Sequence, residues 1–194
     1  MILSAILSYL IGSIPFSYLL ARLVSGKDIR GMGSGNVGAT NVMRTTGKLP
    51  GITALLLDVL KGAGCVWLAH ALGGDSTQMA ICGFLAMLGH SFPVFLGFRG
   101  GKSVATGGGA FGALVPLAML SSIGLFGVLL LVFRIVSLGS VLAAASFPLF
   151  AWLYGAEKGT VLWGAVSATL IIARHHANIV RLFLGTERKL EGKK

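Results

Sequence analysis

Residues Ser103–Phe133 read SVATGGGAFGALVPLAMLSSIGLFGVLLLVF, and this stretch decides the topology of the chain. It is longer than the roughly 20 apolar residues that an ordinary membrane-spanning helix needs. Pro116 stands inside it, and a proline breaks or kinks a helix because it lacks the backbone N–H. The stretch therefore forms either one long helix or two passes that meet near Pro116.

The positive charges on either side of this stretch choose between the two possibilities, because Lys and Arg collect on the cytoplasmic side of a membrane protein. Two passes place all 16 Lys and Arg residues on one face except Lys61, inside a span, and Lys158, on the opposite face. One pass would divide the basic segments between the two faces. The charge pattern predicts two passes, of which the first, about Ser103–Val115, is short.

The rest of the chain has the composition of an all-α polytopic membrane protein. Of its 194 residues, 55% are hydrophobic and 11% charged, with a net charge of +10. This length fits a single domain, 1–194, and the basic excess is typical of cytoplasmic loops. We predict seven transmembrane helices, with the amino terminus in the periplasm, the carboxyl terminus in the cytoplasm and a short fourth helix. Their approximate bounds are Ile2–Val24 with a kink at Pro15, Gly51–Leu72, Thr77–Phe98, Ser103–Val115, Leu117–Phe133, Leu138–Tyr154 and Thr160–Leu184.

The segment after the first span, Arg30–Thr46, is called the first loop here. It reads RGMGSGNVGATNVMRTT, which is too polar to cross a bilayer and too rich in glycine for a stable helix. Small residues let successive backbone N–H groups converge on an anion, and Arg44 supplies a guanidinium that matches phosphate geometry. The G-x-G-x-x-G pattern at Gly33–Gly38 is also found in nucleotide-binding folds, but no strand precedes it. The first loop predicts a phosphate site at a membrane surface.

Three further polar clusters fall on the predicted cytoplasmic face, around residues 99–103, 137–140 and 174–187. Lys102 and Ser103 begin the short helix, where unpaired N–H groups and the helix dipole favour an anion. His175 and Asn178 are three residues apart, so one helix face brings both within reach of a ligand. Gly, Ser, Asn, His and Arg dominate these clusters, as in a phosphate pocket rather than a solvated surface.

Two charges fall inside the second span. Asp58 and Lys61 are three residues apart and share a helix face. A lone charge within a bilayer is costly, so we expect these two to pair and to have a structural role. Glu187, in the tail, is expected to pair with a nearby arginine and is also assigned a structural role. No cofactor and no metal are predicted.

Three segments resemble the motifs of one enzyme family, the bacterial acyl-phosphate:glycerol-3-phosphate acyltransferases (the PlsY family). They read GSGNVGATN at 33–41 with Arg44, GHSFP at 89–93 with GGKS at 100–103, and HHANI at 175–179 with GTE at 185–187. The resemblance covers essentially the whole chain. It implies transfer of a fatty acyl group from acyl phosphate to the 1-hydroxyl of sn-glycerol 3-phosphate, yielding lysophosphatidate and phosphate. It also implies a seven-helix inner-membrane protein with a cytoplasmic active site.

The resemblance also implies roles for individual residues. The predicted catalytic residues are Ser34, Arg44, Lys102, His175 and Asn178. The predicted substrate-binding residues are Gly33, Gly35, Asn36, Gly38, Ala39, Thr40, Asn41, Gly100, Gly101, Ser103 and Ser140. We expect the first loop to hold the donor phosphate, and Arg44 and Lys102, assisted by Ser140, to hold the acceptor phosphate. The donor phosphate is the expected proton acceptor, with His175 or His90 as the alternative base.

A transporter for an organic phosphate is the alternative function, since short helices broken by glycine are common in transporters. Against it, the polar clusters gather on one face and no inverted repeat is found. A membrane anchor that binds anionic lipid through its basic face is a third interpretation. The expected partners are the two substrates and the bilayer, with functional coupling to the enzyme that forms acyl phosphate. We expect a monomer that binds no nucleic acid.

Overall fold

A computed structural model describes residues 1–190, and every regular element among them is helical. Two short 3₁₀ turns cover Ile29–Gly31 and Val94–Leu96. The α-helices of this part of the chain, numbered in order, are α1 Ile2–Gly12, α2 Phe16–Ser25, α3 Ala39–Thr45, α4 Lys48–Ala71, α5 Ser76–Ser91, α6 Val104–Leu114, α7 Pro116–Phe133, α8 Val136–Leu153, α9 Lys158–Arg174 and α10 His176–Phe183.

Five helical segments among the described residues are long and apolar enough to cross a membrane. They are Ile2–Ser25, Lys48–Ala71, Ser76–Leu96, Pro116–Phe133 and Val136–Leu153. Helix α9 has 17 residues and α6 has 11. At 1.5 Å per residue, α6 extends roughly 16 Å, about half of a hydrocarbon core. The composition of a polytopic membrane protein is thus matched by a helical bundle with apolar segments of spanning length.

The predicted break at Pro116 is confirmed. Helix α6 ends at Leu114, and α7 begins at Pro116, with Val115 between them at φ −136° and ψ 73°. A proline fits the first position of a helix because the N–H it lacks would have no partner there. The long apolar stretch is therefore two helices, and the first of them is short.

Three predicted spans end or divide differently in the structure. Pro15 separates α1 from α2 instead of kinking one continuous helix. Helix α5 ends at Ser91 rather than Phe98, because Pro93 has no N–H to donate to the helix. The predicted span Thr160–Leu184 is two elements, since α9 ends at Arg174 and α10 begins at His176.

Helix α4 lies at the centre of the bundle and packs against α1, α2, α3, α5 and α6. Its crossing with α6 is close because glycines face backbone there. A Cβ on Gly62 would lie 2.0 Å from the Thr106 carbonyl oxygen, and one on Gly109 would lie 1.9 Å from that of Val59. Small residues permit such close approach between membrane helices. The apolar core beside this crossing is formed by Val66, Ala80, Met87, Ala110, Phe111, Ala118, Phe147, Ala151 and Ile171.

Hydrogen bonds group the connecting segments at two ends of the bundle. At one end, the Ser76 hydroxyl donates to the Glu157 carboxylate at 3.2 Å, which joins the start of α5 to the start of α9. At the other end, the Leu190 N–H donates to the Arg134 carbonyl at 2.7 Å, so the tail lies against the α7–α8 turn. The segment before α6 belongs to this second end, because Lys102 donates to Asn178 and Asn178 donates to Glu187 in the tail. The first loop meets that segment where Val37 approaches Gly101.

Candidate active site

The prediction that the first loop forms no stable helix is wrong for its second half, because α3 covers Ala39–Thr45, beyond the last glycine of the loop. The first half is shaped by the side chain of Asn41. The amide Nδ2 donates to the carbonyl oxygens of Met32 and Asn36, each at 3.0 Å, and Oδ1 accepts from the Ser34 N–H at 3.0 Å. The Asn41 side chain is buried, and its amide is directed at the loop's own backbone. Asn41 therefore fixes the shape of the loop, and its predicted contact with a substrate stays a prediction.

Other predicted ligands of the first loop lie on its open side. Ser34 and Thr40 are exposed. Gly33 and Gly35 flank Ser34 with φ angles of 59° and 70°, a backbone conformation that glycine adopts without steric cost. The remaining predicted ligands lie at the start of α3: Asn36, Gly38 and Ala39.

The Gly100–Gly101 segment is held from both sides. Its N–H groups donate to the carbonyl oxygens of Ser91 at 3.2 Å and His90 at 3.0 Å. The Arg174 guanidinium donates to the carbonyl oxygens of Gly101 and Gly100, both at 3.1 Å. Since these N–H groups are already paired, the two glycines form a scaffold for Lys102. Their predicted contact with substrate stays a prediction.

Ser103 has a comparable structural role. Its side chain is buried, and its hydroxyl lies 2.6 Å from the Met87 carbonyl oxygen and 2.7 Å from the Ser91 hydroxyl. The residue has φ 59°, an uncommon conformation outside glycine that is retained where surrounding contacts fix it. These bonds attach the start of α6 to α5. Ser103 thus anchors α6, and its predicted contact with substrate stays a prediction.

A chain of polar contacts links the segment before α6 to α8, α10 and the tail, and we call it the Lys102–Glu187 cluster. The Lys102 ammonium donates to the Asn178 amide oxygen, and the amide nitrogen of Asn178 donates to Glu187 Oε1 at 2.6 Å. The same carboxylate accepts from the Ser137 hydroxyl at 2.8 Å and from Arg181 Nε at 2.6 Å. The pairing of Glu187 with an arginine is thus present. The cluster is defined by Lys102, Ser137, Asn178, Arg181 and Glu187.

The pKa values of Lys102 and Glu187, both in this cluster, are shifted from their ordinary values. Burial lowers the pKa of Lys102 to about 8, with Arg181, Arg174 and Arg44 adding to the effect and Glu187 opposing it. Burial by itself raises the pKa of Glu187, but its hydrogen bonds bring the pKa below the ordinary value. Three arginines around one lysine form a cationic region that is suited to bind phosphate.

Three predicted residues stand around this cluster. Arg44 is exposed in the last turn of α3, and its charge reaches Lys102. His175, buried between α9 and α10, lies with Nδ1 2.7 Å from the Ile171 carbonyl oxygen, so Nδ1 carries the proton and Nε2 keeps its lone pair. Ser140 is buried, and its hydroxyl donates to the Val136 carbonyl oxygen at 2.9 Å within α8.

Sequence reasoning does not identify two residues that the structure brings into the site. Ser137 belongs to the same polar cluster as Ser140, and nothing in the sequence says which hydroxyl meets the tail. Nothing in the sequence indicates that Arg174 bonds to Gly100 and Gly101, which are more than 70 positions away. The Asp58–Lys61 pair, by contrast, is present at 2.8 Å as its spacing predicts.

The chain matches one known protein family over nearly its whole length. The family model described as glycerol-3-phosphate acyltransferase matches residues 2–185. Relatives carrying that name include one from Jannaschia sp., 48% identical over 97% of this chain and 92% of its own length. Another, from Geobacter sulfurreducens, is 46% identical over 98% of this chain and 97% of its own length.

Solved structures agree with the sequence relatives. The crystal structure of PlsY, an integral membrane glycerol 3-phosphate acyltransferase, in its glycerol 3-phosphate form has a TM-score of 0.93 and 41% identity. Its lysophosphatidic acid form has a TM-score of 0.91 and 39% identity. Each similarity covers 98% of this chain and 95% of the solved chain.

Proposed function

This chain belongs to the glycerol-3-phosphate acyltransferase family, and from that membership we infer that the first loop and the Lys102–Glu187 cluster form its active site. The protein is an acyltransferase that acylates glycerol 3-phosphate and forms lysophosphatidate. The observation that carries this conclusion is a family match across residues 2–185, which include the first loop, Lys102 and Asn178.

The acceptor, glycerol 3-phosphate, binds through its phosphate to Lys102 and Arg44, assisted by Ser140. His175 and Asn178 orient its hydroxyl groups. The half-buried position of Lys102 supports this assignment, because a cation attracts phosphate more strongly where water is partly excluded. Asn178 contacts both Lys102 and Glu187, so it also fixes where the ammonium stands.

The donor is an acyl phosphate, whose phosphate group lies against the first loop. The exposed hydroxyls of Ser34 and Thr40 and the main chain at Gly38 and Ala39 supply its hydrogen-bond donors. The side chain of Asn41 keeps the loop in the shape that presents them. This arrangement places the two phosphates on neighbouring elements at one end of the bundle.

The reaction is a direct transfer. The 1-hydroxyl oxygen of glycerol 3-phosphate attacks the donor carbonyl carbon, the bond from that carbon to the phosphate oxygen breaks, and phosphate leaves with the hydroxyl proton. The donor carbonyl is already activated as a mixed anhydride, so no acyl-enzyme is required. The protein contributes positioning and charge stabilisation. By comparison with a phosphate monoester, whose second pKa is about 6, the donor phosphate is a dianion at neutral pH, so it can accept the proton.

His175 is the alternative base, because its Nε2 lone pair is available. The two mechanisms differ in what replacement of the histidine does to the dependence of kcat on pH. Substrate assistance keeps an ionisation near 6 in His175→Gln. Loss of that ionisation together with a fall of about a thousandfold or more would assign the proton transfer to His175.

The protein crosses the bacterial inner membrane seven times. Five crossings are the longer apolar segments, and the other two are α6 and α9. The amino terminus is periplasmic, and the active site faces the cytoplasm. The grouping of connecting segments at two ends supports this arrangement, with Lys158 at the end opposite the basic loops. The protein acts as a monomer and is functionally coupled to the enzyme that supplies acyl phosphate.

Purified protein in detergent, given palmitoyl phosphate and radiolabelled glycerol 3-phosphate, tests the function directly. We expect lysophosphatidate and inorganic phosphate in equal amounts, without a sealed compartment. A transporter would instead move label into vesicles and form no ester. Formation of lysophosphatidate from palmitoyl coenzyme A but not from palmitoyl phosphate would contradict the proposed donor.

A further inference from the structure

Asp58, Lys61 and His90 form a buried polar cluster beside the candidate active site. Lys61 Nζ lies 2.8 Å from Asp58 Oδ1 and 2.9 Å from His90 Nδ1, which is itself 3.4 Å from the same carboxylate oxygen. The three side chains are only 2%, 2% and 8% exposed. Burying such charges costs several kcal/mol before their mutual attraction is counted, so they are rarely retained without a role.

The ammonium fixes the orientation of the imidazole ring. Because an ammonium only donates hydrogen bonds, His90 Nδ1 accepts from Lys61, and the ring proton stands on Nε2. Lys61 also donates to the carbonyl oxygen of Ile14, at 2.9 Å, in the break between α1 and α2. The Asp58 carboxylate accepts from the Ser17 hydroxyl at 3.4 Å. The Asp58–Lys61 pair that fixes the ring is thus itself tied to the break between α1 and α2 and to Ser17 in α2.

The opposite edge of the ring lies where the first loop meets the Gly100–Gly101 segment. A Cβ on Gly101 would stand 2.1 Å from His90 Nε2 and 2.6 Å from the carbonyl oxygen of Val37. The imidazole edge, Gly101 and Val37 therefore meet within the space of one methyl group. Val37 belongs to the first loop and is buried. Lys102 follows Gly101 directly. The junction therefore lies between the two proposed phosphate sites, the first loop and Lys102.

We infer that His90 is a positioning residue: fixed by Lys61 through Nδ1, its Nε2–H edge sets the distance between Val37 in the first loop and Gly101 beside Lys102. The inference rests on the function proposed above. His90 contacts no substrate and acts through the two segments it separates. The adjoining cavity, of about 10 Å³ and lined by His90, Lys61 and Val37, holds one water at most and no substrate.

Two substitutions of His90 test the roles of the Nδ1 edge and the Nε2 edge of the ring separately. Asn in His90→Asn offers Lys61 an acceptor near the position of Nδ1 but is too short to reach Gly101 and Val37. Gln in His90→Gln is long enough to return an amide N–H near the position of Nε2. Comparing them separates bundle stability, which depends on the buried pair, from the spacing of the loops. His70→Gln is the matched control, because His70 is exposed at the far end of α4.

The experiment measures kcat and KM for both substrates, and the melting temperature, of purified protein in detergent. We expect His90→Asn to melt within about 3 °C of the wild type but to raise KM for glycerol 3-phosphate by about tenfold or more. His90→Gln should restore KM to within about threefold, and the kcat–pH profile should keep its shape in both variants. His70→Gln should match the wild type.

Gly101→Ala provides the second measurement if His90→Asn does not fold, because the added methyl group displaces the same edge while leaving His90 intact. It should raise the same KM. A wild-type KM in folded His90→Asn or in Gly101→Ala would overturn the inference, as would loss of an ionisation from the pH profile with KM unchanged. Wild-type protein that forms no lysophosphatidate would overturn the proposed function and this inference together, whereas the former results leave that function standing.

Discussion

The Lys102 ammonium donates a hydrogen bond to the amide oxygen of Asn178, which lies 76 positions later in the chain. Because the Asn178 amide nitrogen in turn donates to Glu187, the cation is tied to a carboxylate without forming an ion pair with it. Lys102 is therefore oriented by the tail while its charge stays available to an anion. In the function proposed above, this relationship prepares Lys102 to bind a phosphate at the start of α6.

Replacing Lys102 by methionine should remove the acceptor-phosphate cation while retaining the volume of the side chain. We expect kcat/KM to fall by about 10²- to 10³-fold, or roughly 3–4 kcal/mol, the usual cost of losing one preorganised electrostatic group. Lys102→Arg keeps the charge and should lose less. Lys158→Met is the control, since Lys158 is exposed at the opposite end of the bundle. A Lys102→Met enzyme within about threefold of the wild type would contradict the assignment.

The pH dependence of kcat/KM should show the ionisation of Lys102 directly. Burial, the largest cause, lowers the pKa of this lysine to about 8. A lysine is charged below its pKa, so the cation is lost as the pH rises through about 8, and kcat/KM should fall by up to about tenfold per pH unit above it. Phosphate monoesters, with a second pKa of about 6, remain dianions there and cannot cause the fall. In Lys102→Arg this limb should disappear; its persistence would assign the ionisation to another group.

Glu187→Gln should destabilise the junction of α8, α10 and the tail. Burial raises the pKa of Glu187, but hydrogen bonds from Asn178, Arg181 and Ser137 outweigh burial and lower it overall. A depressed carboxyl pKa contributes stability above the unfolded-state value, near 4.5, and that contribution is lost as the pH falls through the folded-state value. We expect a loss of about 1.5–3 kcal/mol at pH 7, typical of hydrogen bonds to a charged group.

Thermal unfolding in detergent measures this loss, and the difference from the wild type should shrink as the pH falls through the lowered folded-state pKa of Glu187. Glu157→Gln is the control, because Glu157 is exposed and its contact is a 3.2 Å hydrogen bond from Ser76. An unchanged difference at low pH would mean that the carboxylate charge is not what stabilises the junction.

The crossing of α4 with α6 should not tolerate an added methyl group. A Cβ on Gly62 would lie 2.0 Å from the Thr106 carbonyl oxygen, and neither backbone can move aside cheaply. We expect Gly62→Ala to cost about 2 kcal/mol or more through overpacking. Gly64→Ala, two residues along the same helix, meets nothing within 4 Å and should be neutral or slightly stabilising. Equal melting temperatures for the two variants would contradict the close helix approach.

Local sequence signals predict the features that depend on neighbouring residues. The fixed geometry of Pro116 predicts the division between α6 and α7, and the three-residue spacing of Asp58 and Lys61 predicts their pairing. The same reasoning misplaces the end of α9. No proline or glycine marks the turn at His175, so the apolar pattern of the sequence continues past the end of α9.

Side-chain direction is the part that sequence patterns do not determine. Glycine, serine and asparagine in a polar loop suit a ligand and suit the loop's own backbone equally well. In the structure, Asn41 bonds Met32 and Asn36, and Ser103 bonds Met87, so both stabilise the backbone near the site. The contact of Ser137 with Glu187 depends on how α8 meets the tail, which is a long-range packing result.

We propose that two anionic substrates are held together at one end of the bundle and react directly. Initial rates measured while palmitoyl phosphate and glycerol 3-phosphate are both varied test it most directly. We expect double-reciprocal lines that intersect, because both substrates bind before any product leaves. Parallel lines, together with an acylated protein isolated in the absence of glycerol 3-phosphate, would show a covalent intermediate and contradict it.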